Sequence, residues 1–204
     1  MTRVVLASGN AGKLRELAAL LAPLHLELVP QGALGIGTVP ETGATFLDNA
    51  LLKARHAAGA AQLPALADDS GLEVDALGGG PGVRSARYAG EGAGDAANLA
   101  RLLAELAGVP GPRRGARYQC VLALVRAADD AAPLVARGTW EGSIALGARG
   151  HGGFGYDPVF VPAGGTRTAA ELPAGEKNAV SHRGQALRAL VAALAPGGVY
   201  SRAV

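Results

Sequence analysis

The sequence is poor in cysteine, lysine and aromatic residues, and it contains no long apolar run. Its single cysteine, Cys120, cannot form an internal disulfide and lies in an apolar segment, which favours a buried thiol in a reducing compartment. No stretch approaches the roughly 18 apolar residues of a membrane-spanning helix. The apolar run Val4–Ala7 is too short for a signal peptide. We therefore expect a cytoplasmic protein with no membrane partner.

The chain also lacks a strong excess of charge of one sign. Its formal net charge at pH 7 is +2, and the charged residues, 18% of the 204, are spread along the whole length. This pattern excludes a polyanion-binding tail and gives no support to nucleic acid as the main ligand. The hydrophobic content of 49% is sufficient for a well-packed core.

Lysine is unusually rare, because sixteen of the nineteen basic residues are arginine. An ammonium is a compact point charge and a guanidinium is a planar fork, so a site shaped for one of them rejects the other. Lys13, Lys53 and Lys177 are therefore candidate site residues, although chance retention would explain any one of them taken alone.

Apolar periodicity predicts strands that alternate with helices, which is typical of an α/β fold. Strands are expected at residues 3–7, 24–29, 64–67, 118–125 and 134–146, with a short one after Pro158. Helices are expected before Pro23, after Thr45, around Leu99–Leu106 and after Ser181. The second of these begins with Thr45-Phe46-Leu47-Asp48, which has the form of a capping box. The pattern predicts one domain at residues 1–196 and a loose C-terminal tail at residues 197–204.

The first predicted strand leads into a helix through Ser8-Gly9-Asn10-Ala11-Gly12-Lys13. With Asn10 as the N-cap, Gly12 and Lys13 fall in the first turn, where a cation opposes the helix dipole and glycine weakens the helix. A phosphate bound by backbone N–H groups and the ammonium would explain both residues. A surface lysine without function is the alternative. The spacing is not that of a Walker A loop.

Two acidic residues, Asp68 and Asp69, are predicted to end a short apolar strand and precede Ser70-Gly71. Neighbouring strand residues face opposite ways, so one carboxylate can enter a cleft while the other supports it. Carboxylate oxygens suit Mg²⁺, which takes one or two protein carboxylates together with substrate phosphates. An Asx turn without function is the alternative interpretation.

Two later segments offer candidates for ligand recognition. Phe154-Gly155-Tyr156-Asp157 displays an aromatic ring on a glycine-rich loop, where it could stack on a base or simply belong to the core. Ser181 is the predicted N-cap of the last helix, and two potential cations follow it where acids are preferred. A ligand rich in hydrogen-bond acceptors would explain His182 and Arg183, and an exposed basic turn is the alternative.

Taken together, these segments resemble the inosine/xanthosine triphosphate pyrophosphatase family, also called the Ham1-like family. The resemblance covers the chain from Val4 to about Leu194. It rests on five stretches in the expected order: Ser8–Lys13; Glu41–Gly43 with Phe46, Asn49, Ala50, Lys53 and Ala54; Ala67–Leu72; Gly152–Pro158; and Ser181–Gly184.

The resemblance implies a fold and an activity. The fold is an elongated, twisted mixed sheet flanked by helices, with two lobes around a central cleft, in a homodimer. The activity is Mg²⁺-dependent hydrolysis of aberrant purine nucleoside triphosphates (ITP, dITP and XTP) to the monophosphate and pyrophosphate. Alternatives from other classes are a Maf-like pyrophosphatase for pyrimidine or modified nucleotides, and a nucleotide-binding sensor without catalysis.

The resemblance also implies roles for single residues. Asp69 would accept the proton and bind the metal, with Glu41 as a second ligand, although Pro40 stands where relatives often carry an acid. The phosphate contacts would be Ser8, Gly9, Asn10, Ala11, Gly12, Lys13 and Lys53. The other substrate contacts would be Ser70, Phe154, Gly155, Tyr156, Asp157, Lys177, His182 and Arg183. All of this requires the starts of the first and last helices to meet at Asp68–Asp69.

Overall fold

The computed structural model describes residues 3–21 and 26–194. The chain forms two compact units. The first comprises Met1–Asp69, Cys120–Gly138 and Arg183–Val204, and the second comprises Ser70–Gln119 and Thr139–His182. The predicted tail at residues 197–204 and the start of the predicted strand at residues 24–29 lie outside the described residues. The single domain at residues 1–196 stays a prediction.

Six strands form one open sheet in the order β2-β1-β3-β4-β5-β6. They are β1 (Arg3–Ala7), β2 (Glu27–Pro30), β3 (Ala65–Val74), β4 (Gly115–Val125), β5 (Leu134–Ile144) and β6 (Phe160–Pro162). β1 pairs in parallel with β2 and with β3, whereas β5 and β6 are antiparallel. The sheet is therefore mixed, which confirms the predicted fold class.

Five α-helices accompany the strands. They are α1 (Ala11–Leu21), α2 (Phe46–Ala61), α3 (Asp95–Glu105), α4 (Ala174–Val180) and α5 (His182–Leu194). Four of them are confirmed predictions. The exception is α4, whose seven residues are too few to establish a helical apolar period. Within residues 3–21 and 26–194, no helix is both long enough and apolar enough to cross a membrane.

Each unit has its own buried apolar clusters. In the first unit, α1 and α5 contribute one cluster with β1, which includes Leu17, Leu187 and Leu6. A second cluster is rich in alanine, because α2 packs closely through Ala50 and Ala54. The core of the second unit is aromatic instead, with Tyr118, Trp140, Tyr156 and Phe160 among its members.

The start of α2 is fixed by a capping box that the sequence predicted. The Thr45 hydroxyl accepts the Asp48 N–H at 3.1 Å, and the Asp48 carboxylate accepts the Thr45 N–H at 3.1 Å. We expect Thr45→Ala to lower the free energy of unfolding in urea by about 0.5–2 kcal/mol, because it leaves a helix N–H without a partner. Thr45→Ser keeps the acceptor and should match the native protein. Equal stability of Thr45→Ala would contradict this role of the cap.

Candidate active site

The two adjacent acids lie inside β3 and not at its end, so this part of the prediction is wrong. Pairing between β1 and β3 stops at Ala7 and Ala67, but β3 continues to Val74. Aspartate and glycine are disfavoured in strands, which is why the sequence indicated an early end. Asp68 and Asp69 are buried, and their partners in ion pairs compensate for that cost.

Asp68 joins the starts of α1 and α5. Its Oδ1 lies 2.5 Å from Lys13 Nζ, and its Oδ2 accepts the Arg183 Nε–H at 3.0 Å. The Cys120 thiol donates to the same Oδ2 at 3.2 Å, and Arg183 also pairs with Glu16. The starts of the two helices therefore lie together at Asp68, and the predicted burial of the cysteine is confirmed.

The electrostatics of Asp68 make it a poor proton acceptor. Burial alone would raise the pKa of its carboxyl group, but Arg183 and Lys13 hold that pKa well below its ordinary value of 3.8. Asp68 is thus an anion at neutral pH, and it holds Lys13 in place.

Asp69 has a different set of partners, as expected for the next residue along a strand. Lys53 Nζ donates to Asp69 Oδ1 at 2.6 Å and to Glu41 Oε1 at 2.7 Å. The Asn49 amide donates to Asp69 Oδ2 at 3.5 Å. Asn49 and Lys53 are four residues apart in α2, so both lie on the one helix face that meets Asp69.

A close approach of the chain to α2 places Glu41 beside Lys53. The Gly43 N–H donates to Asn49 Oδ1 at 2.7 Å. A Cβ atom at Gly43 would lie 2.6 Å from the Cβ of Asp48, so only glycine allows this approach. Glu41 therefore shares one ammonium with Asp69.

The pKa of Asp69 shifts in the opposite direction to that of Asp68, which is lowered. Burial raises the pKa of Asp69, and the nearby Lys53 and Lys13 offset this only in part. Burial would lower the pKa of Lys53, but Asp69 and Glu41 raise it overall. Carboxyl groups with opposed shifts are a recurring sign of divided roles in an active site. By this criterion Asp69 is the candidate base and Asp68 is its supporting anion.

The loop between β1 and α1 leads into a helix start whose first backbone N–H groups can bind an anion. Asn10 is confirmed as the N-cap, because its Oδ1 accepts the Lys13 N–H at 3.0 Å. The Ser8 hydroxyl in turn accepts the Asn10 N–H at 3.2 Å. The first turn of α1 contains no acid, and the earliest amides of a helix have no partner within it. The amides of Ala11 and Gly12 and the ammonium of Lys13 can therefore serve a phosphate.

The second unit holds an aromatic cluster around His182. The His182 ring stacks on Tyr118 with centroids 4.6 Å apart and planes 8° apart. Trp140 and Phe160 pack around the same tyrosine. His182 is 4% exposed, so its position is fixed by packing.

Asp157 organises the neighbouring Phe154 and Lys177. It accepts the Phe154 N–H at 2.9 Å, the Lys177 ammonium at 2.7 Å and the Tyr118 hydroxyl at 3.3 Å. Lys177 Nζ lies 5.1 Å from the centroid of the Phe154 ring. Gly153 has a φ of +72°, and a Cβ there would lie 2.0 Å from Asp157 Oδ2, so this turn requires glycine.

Three further predicted site residues have other surroundings. Tyr156 belongs to the core of the second unit, and its hydroxyl donates to the Ser85 carbonyl at 2.8 Å. Ser70 is half-buried within β3. Gly155 donates its N–H to the Asp95 carboxylate at 2.7 Å. Substrate contacts at Tyr156, Ser70 and Gly155 stay predictions.

The sequence interpretation assigned no role to several residues that the structure places beside the site. Asn49 contacts both Asp69 and the Gly43 N–H and is fully buried. The available signal was its position four residues before Lys53, on the same helix face. Tyr118 begins a strand that the sequence predicted, and nothing in that strand indicated a role at the site. Asp95 is separated from Gly155 by 60 residues, so no local pattern could connect them.

The structure combines a mixed sheet, a helix start suited to binding phosphate, and two carboxylates with opposed pKa shifts. These features define an α/β enzyme site. Comparison with known proteins agrees with that class. The model of the Ham1 family matches residues 4–193, and the chain belongs to this family.

Named relatives match over almost the whole chain. A dITP/XTP pyrophosphatase of Methylococcus capsulatus is 60% identical over 192 residues, which are 94% of this chain and 96% of that protein. A dITP/XTP pyrophosphatase of Shigella flexneri is 58% identical over 97% of this chain and its own full length. The solved structure of a HAM1 protein from Coxiella burnetii has a TM-score of 0.88 at 49% identity and covers 95% of this chain and 98% of that one.

Proposed function

We propose that this protein hydrolyses the aberrant purine nucleoside triphosphates ITP, dITP and XTP to the monophosphate and pyrophosphate. The observation that carries the proposal is the pair Asp68 and Asp69, one of which holds Lys13 while the other is a buried carboxylate with a raised pKa beside Lys53. Relatives at 60% and 58% identity bear the name dITP/XTP pyrophosphatase.

The triphosphate is assigned to the start of α1 and to Lys53. The amides that begin α1 and the ammonium of Lys13 supply positive potential in fixed positions, with Ser8 and Asn10 holding the loop. Lys53 adds a second ammonium. Because their own partners hold these groups in place before substrate arrives, they need little reorganisation as negative charge develops on the phosphates.

Mg²⁺ is the proposed cofactor, with Asp69 and Glu41 as the residues that would hold it. Their carboxylates converge on one ammonium, and two is the number of protein carboxylates that Mg²⁺ commonly takes beside phosphate oxygens. Among the described residues, no group of three or more acidic, histidine or cysteine side chains is arranged to hold a metal ion. When bound, it would lower the pKa of a water and neutralise charge on the departing pyrophosphate.

In the proposed reaction Asp69 accepts a proton from the attacking water. The water oxygen forms a bond to the first phosphorus, and the bond from that phosphorus to the bridging oxygen breaks. The electron pair leaves with pyrophosphate. Burial raises the pKa of Asp69, which makes this carboxylate a stronger base than an exposed aspartate.

The base is assigned to Phe154 and Lys177. Phe154 offers a ring for stacking, and Lys177 offers a donor to the 6-oxo group of hypoxanthine or xanthine. Adenine carries a 6-amino donor there, and an unpaired buried polar group costs about 1–3 kcal/mol, or roughly five- to hundredfold in affinity. The Arg183 guanidinium has Asp68 and Glu16 as partners in the first unit. Its predicted base contact therefore stays a prediction.

A homodimer in the cytoplasm completes the proposal. It rests on the family resemblance, and light scattering on the purified protein tests the dimer directly. A monomeric mass at micromolar concentration would contradict it.

Pyrophosphate release from a panel of nucleotides tests the proposed activity. We expect release from ITP, dITP and XTP with Mg²⁺ at rates at least about tenfold above those from ATP and GTP. One mismatched polar group accounts for that factor, namely the 6-amino group of adenine or the 2-amino group of guanine. Removal of Mg²⁺ with a chelator should abolish the release.

Other outcomes of the same assay support the alternatives. Preferred release from dUTP would favour a Maf-like enzyme for pyrimidines. Tight binding of ITP without release, in the presence of Mg²⁺, would favour a sensor. Release of single phosphates instead of pyrophosphate would contradict the assigned point of cleavage.

A further inference from the structure

The segment that carries Phe154, here called the Phe154 loop (residues 150–157), contains four glycines. Three of them, Gly150, Gly153 and Gly155, have positive φ values of 78°, 72° and 62°. Glycine loses more conformational freedom on ordering than any other residue. A ring displayed on such a loop needs anchors if it is to present a fixed face to a ligand.

One of these anchors comes from a distant helix. The Asp95 carboxylate accepts the Gly155 N–H at 2.7 Å. Asp95 is the first residue of α3 and follows the N-cap Gly94, which has no side chain to cap the helix. The carboxylate at this helix start thus binds the amide that directly follows Phe154.

The helix that bears Asp95 is a rigid support. Asn98 in its first turns is 2% exposed, accepts the Ala89 N–H at 2.7 Å and donates to the Ala86 carbonyl at 3.1 Å. Leu102 of the same helix is fully buried in the core of the second unit. The next residue of the loop, Tyr156, is tied to this region through its hydroxyl and the Ser85 carbonyl. The consecutive loop residues Gly155 and Tyr156 are therefore both hydrogen-bonded to this part of the second unit.

We propose that Asp95 is a positioning residue for recognition of the base: by holding the Gly155 N–H, it fixes the Phe154 ring against the Lys177 ammonium for stacking. This inference rests on the proposed function and adds a residue to it. Asp157 holds the Phe154 N–H from within the loop, and Asp95 holds the Gly155 N–H from outside. Loss of the outer anchor releases the loop without removing a group that touches the phosphates.

Steady-state kinetics of Asp95→Ala with ITP and Mg²⁺ test the inference. We expect KM for ITP to rise about five- to tenfold, the effect of losing one hydrogen bond that orders the site. We expect kcat to change less than about twofold, since ground state and transition state lose the same stacking contact.

Two competitive inhibitors separate positioning of the base from general damage. The inhibition constant of inosine monophosphate, which carries the base, should rise by the same factor as KM. That of tripolyphosphate, which has no base, should stay within about twofold of the native value. Equal increases for both inhibitors would overturn the inference, and so would an unchanged KM.

Matched variants complete the test. Asp95→Asn keeps an oxygen that can accept the Gly155 N–H and should restore native KM. Glu91→Ala removes a nearby carboxylate whose ion-pair partner is Arg87 and should leave KM unchanged. Loss of affinity in Asp95→Asn equal to that in Asp95→Ala would overturn the role of the hydrogen bond.

Hydrogen exchange provides a second measurement on the native fold. Asp95→Ala, or Asp95→Ser if the alanine variant does not fold, should accelerate exchange in the peptide that contains Gly155. Unchanged exchange there would overturn the inference while leaving the proposed function intact. Absence of ITP hydrolysis in the native protein would overturn the proposed function first, and this inference with it.

Discussion

Asp69→Asn is expected to lower kcat for ITP by about 10²–10⁴-fold, the contribution of a positioned general base. The substitution keeps the shape of the side chain and removes the site that accepts the proton. Binding of ITP should be preserved, because Lys13 and the amides of α1 remain in place. Pyrophosphate release and equilibrium binding of ITP measure the two effects separately. Activity close to the native level would exclude Asp69 as the base.

The pH dependence of kcat provides an independent check on the same residue. Burial raises the pKa of Asp69 above its ordinary value of 3.8, with Lys53 as the main opposing charge. The base must be ionised to act, so kcat should fall as the pH drops through this raised pKa. The residual activity of Asp69→Asn should lack that acid limb. An acid limb that persists in the variant would assign it to another group.

Asp68→Asn is expected to lower the free energy of unfolding by about 3–5 kcal/mol, the usual cost of breaking a buried ion pair by removing one partner. Its charge compensates the fully buried Arg183 and also holds Lys13. Urea denaturation followed by circular dichroism measures the loss. A difference below about 1 kcal/mol would mean that Glu16 alone is sufficient for Arg183.

An exposed ion pair of similar geometry serves as the control. Arg167 and Glu176 lie 2.6 Å apart, but their side chains are 53% and 46% exposed. Glu176→Gln should therefore cost no more than about 1 kcal/mol. A loss as large as that of Asp68→Asn would show that burial is not the reason for the effect.

The effect of Asp68 on stability has a defined pH window. Arg183 and Lys13 keep its pKa in the folded protein well below the ordinary 3.8, despite the opposing effect of burial. Its contribution is therefore fully present above about pH 4 and is lost as the pH falls through the folded pKa. The stability difference between the native protein and Asp68→Asn should accordingly shrink in acid below that point.

The sequence predicted well those features that local rules determine. The bounds of β1, the capping box at Thr45 and the N-cap Asn10 follow from residue preferences over a few positions. The mixed sheet and the family followed from the order of the motifs. The three lysines were predicted as site residues because of their rarity, and each pairs with a carboxylate at a candidate site.

Features that depend on contacts between distant residues were not predictable. The length of β3 was underestimated because the charges that compensate its acids come from residues 13, 53 and 183. Arg183 was expected at the substrate, and its pairing with Asp68 and Glu16 depends on three separate elements. The seven-residue helix α4, which carries Lys177, has too little sequence to reveal a period.

The position of both acids within one strand makes the chain sensitive to changes of length. A strand alternates its faces at every residue, so inserting or deleting one residue between Ala65 and Asp68 would turn both carboxylates to the opposite face. An insertion would bring Asp68 to the position beside Lys53, and a deletion would bring Asp69 to the position beside Lys13. Indels are tolerated in a surface turn such as that around Asp129, whereas this stretch can evolve by substitution only.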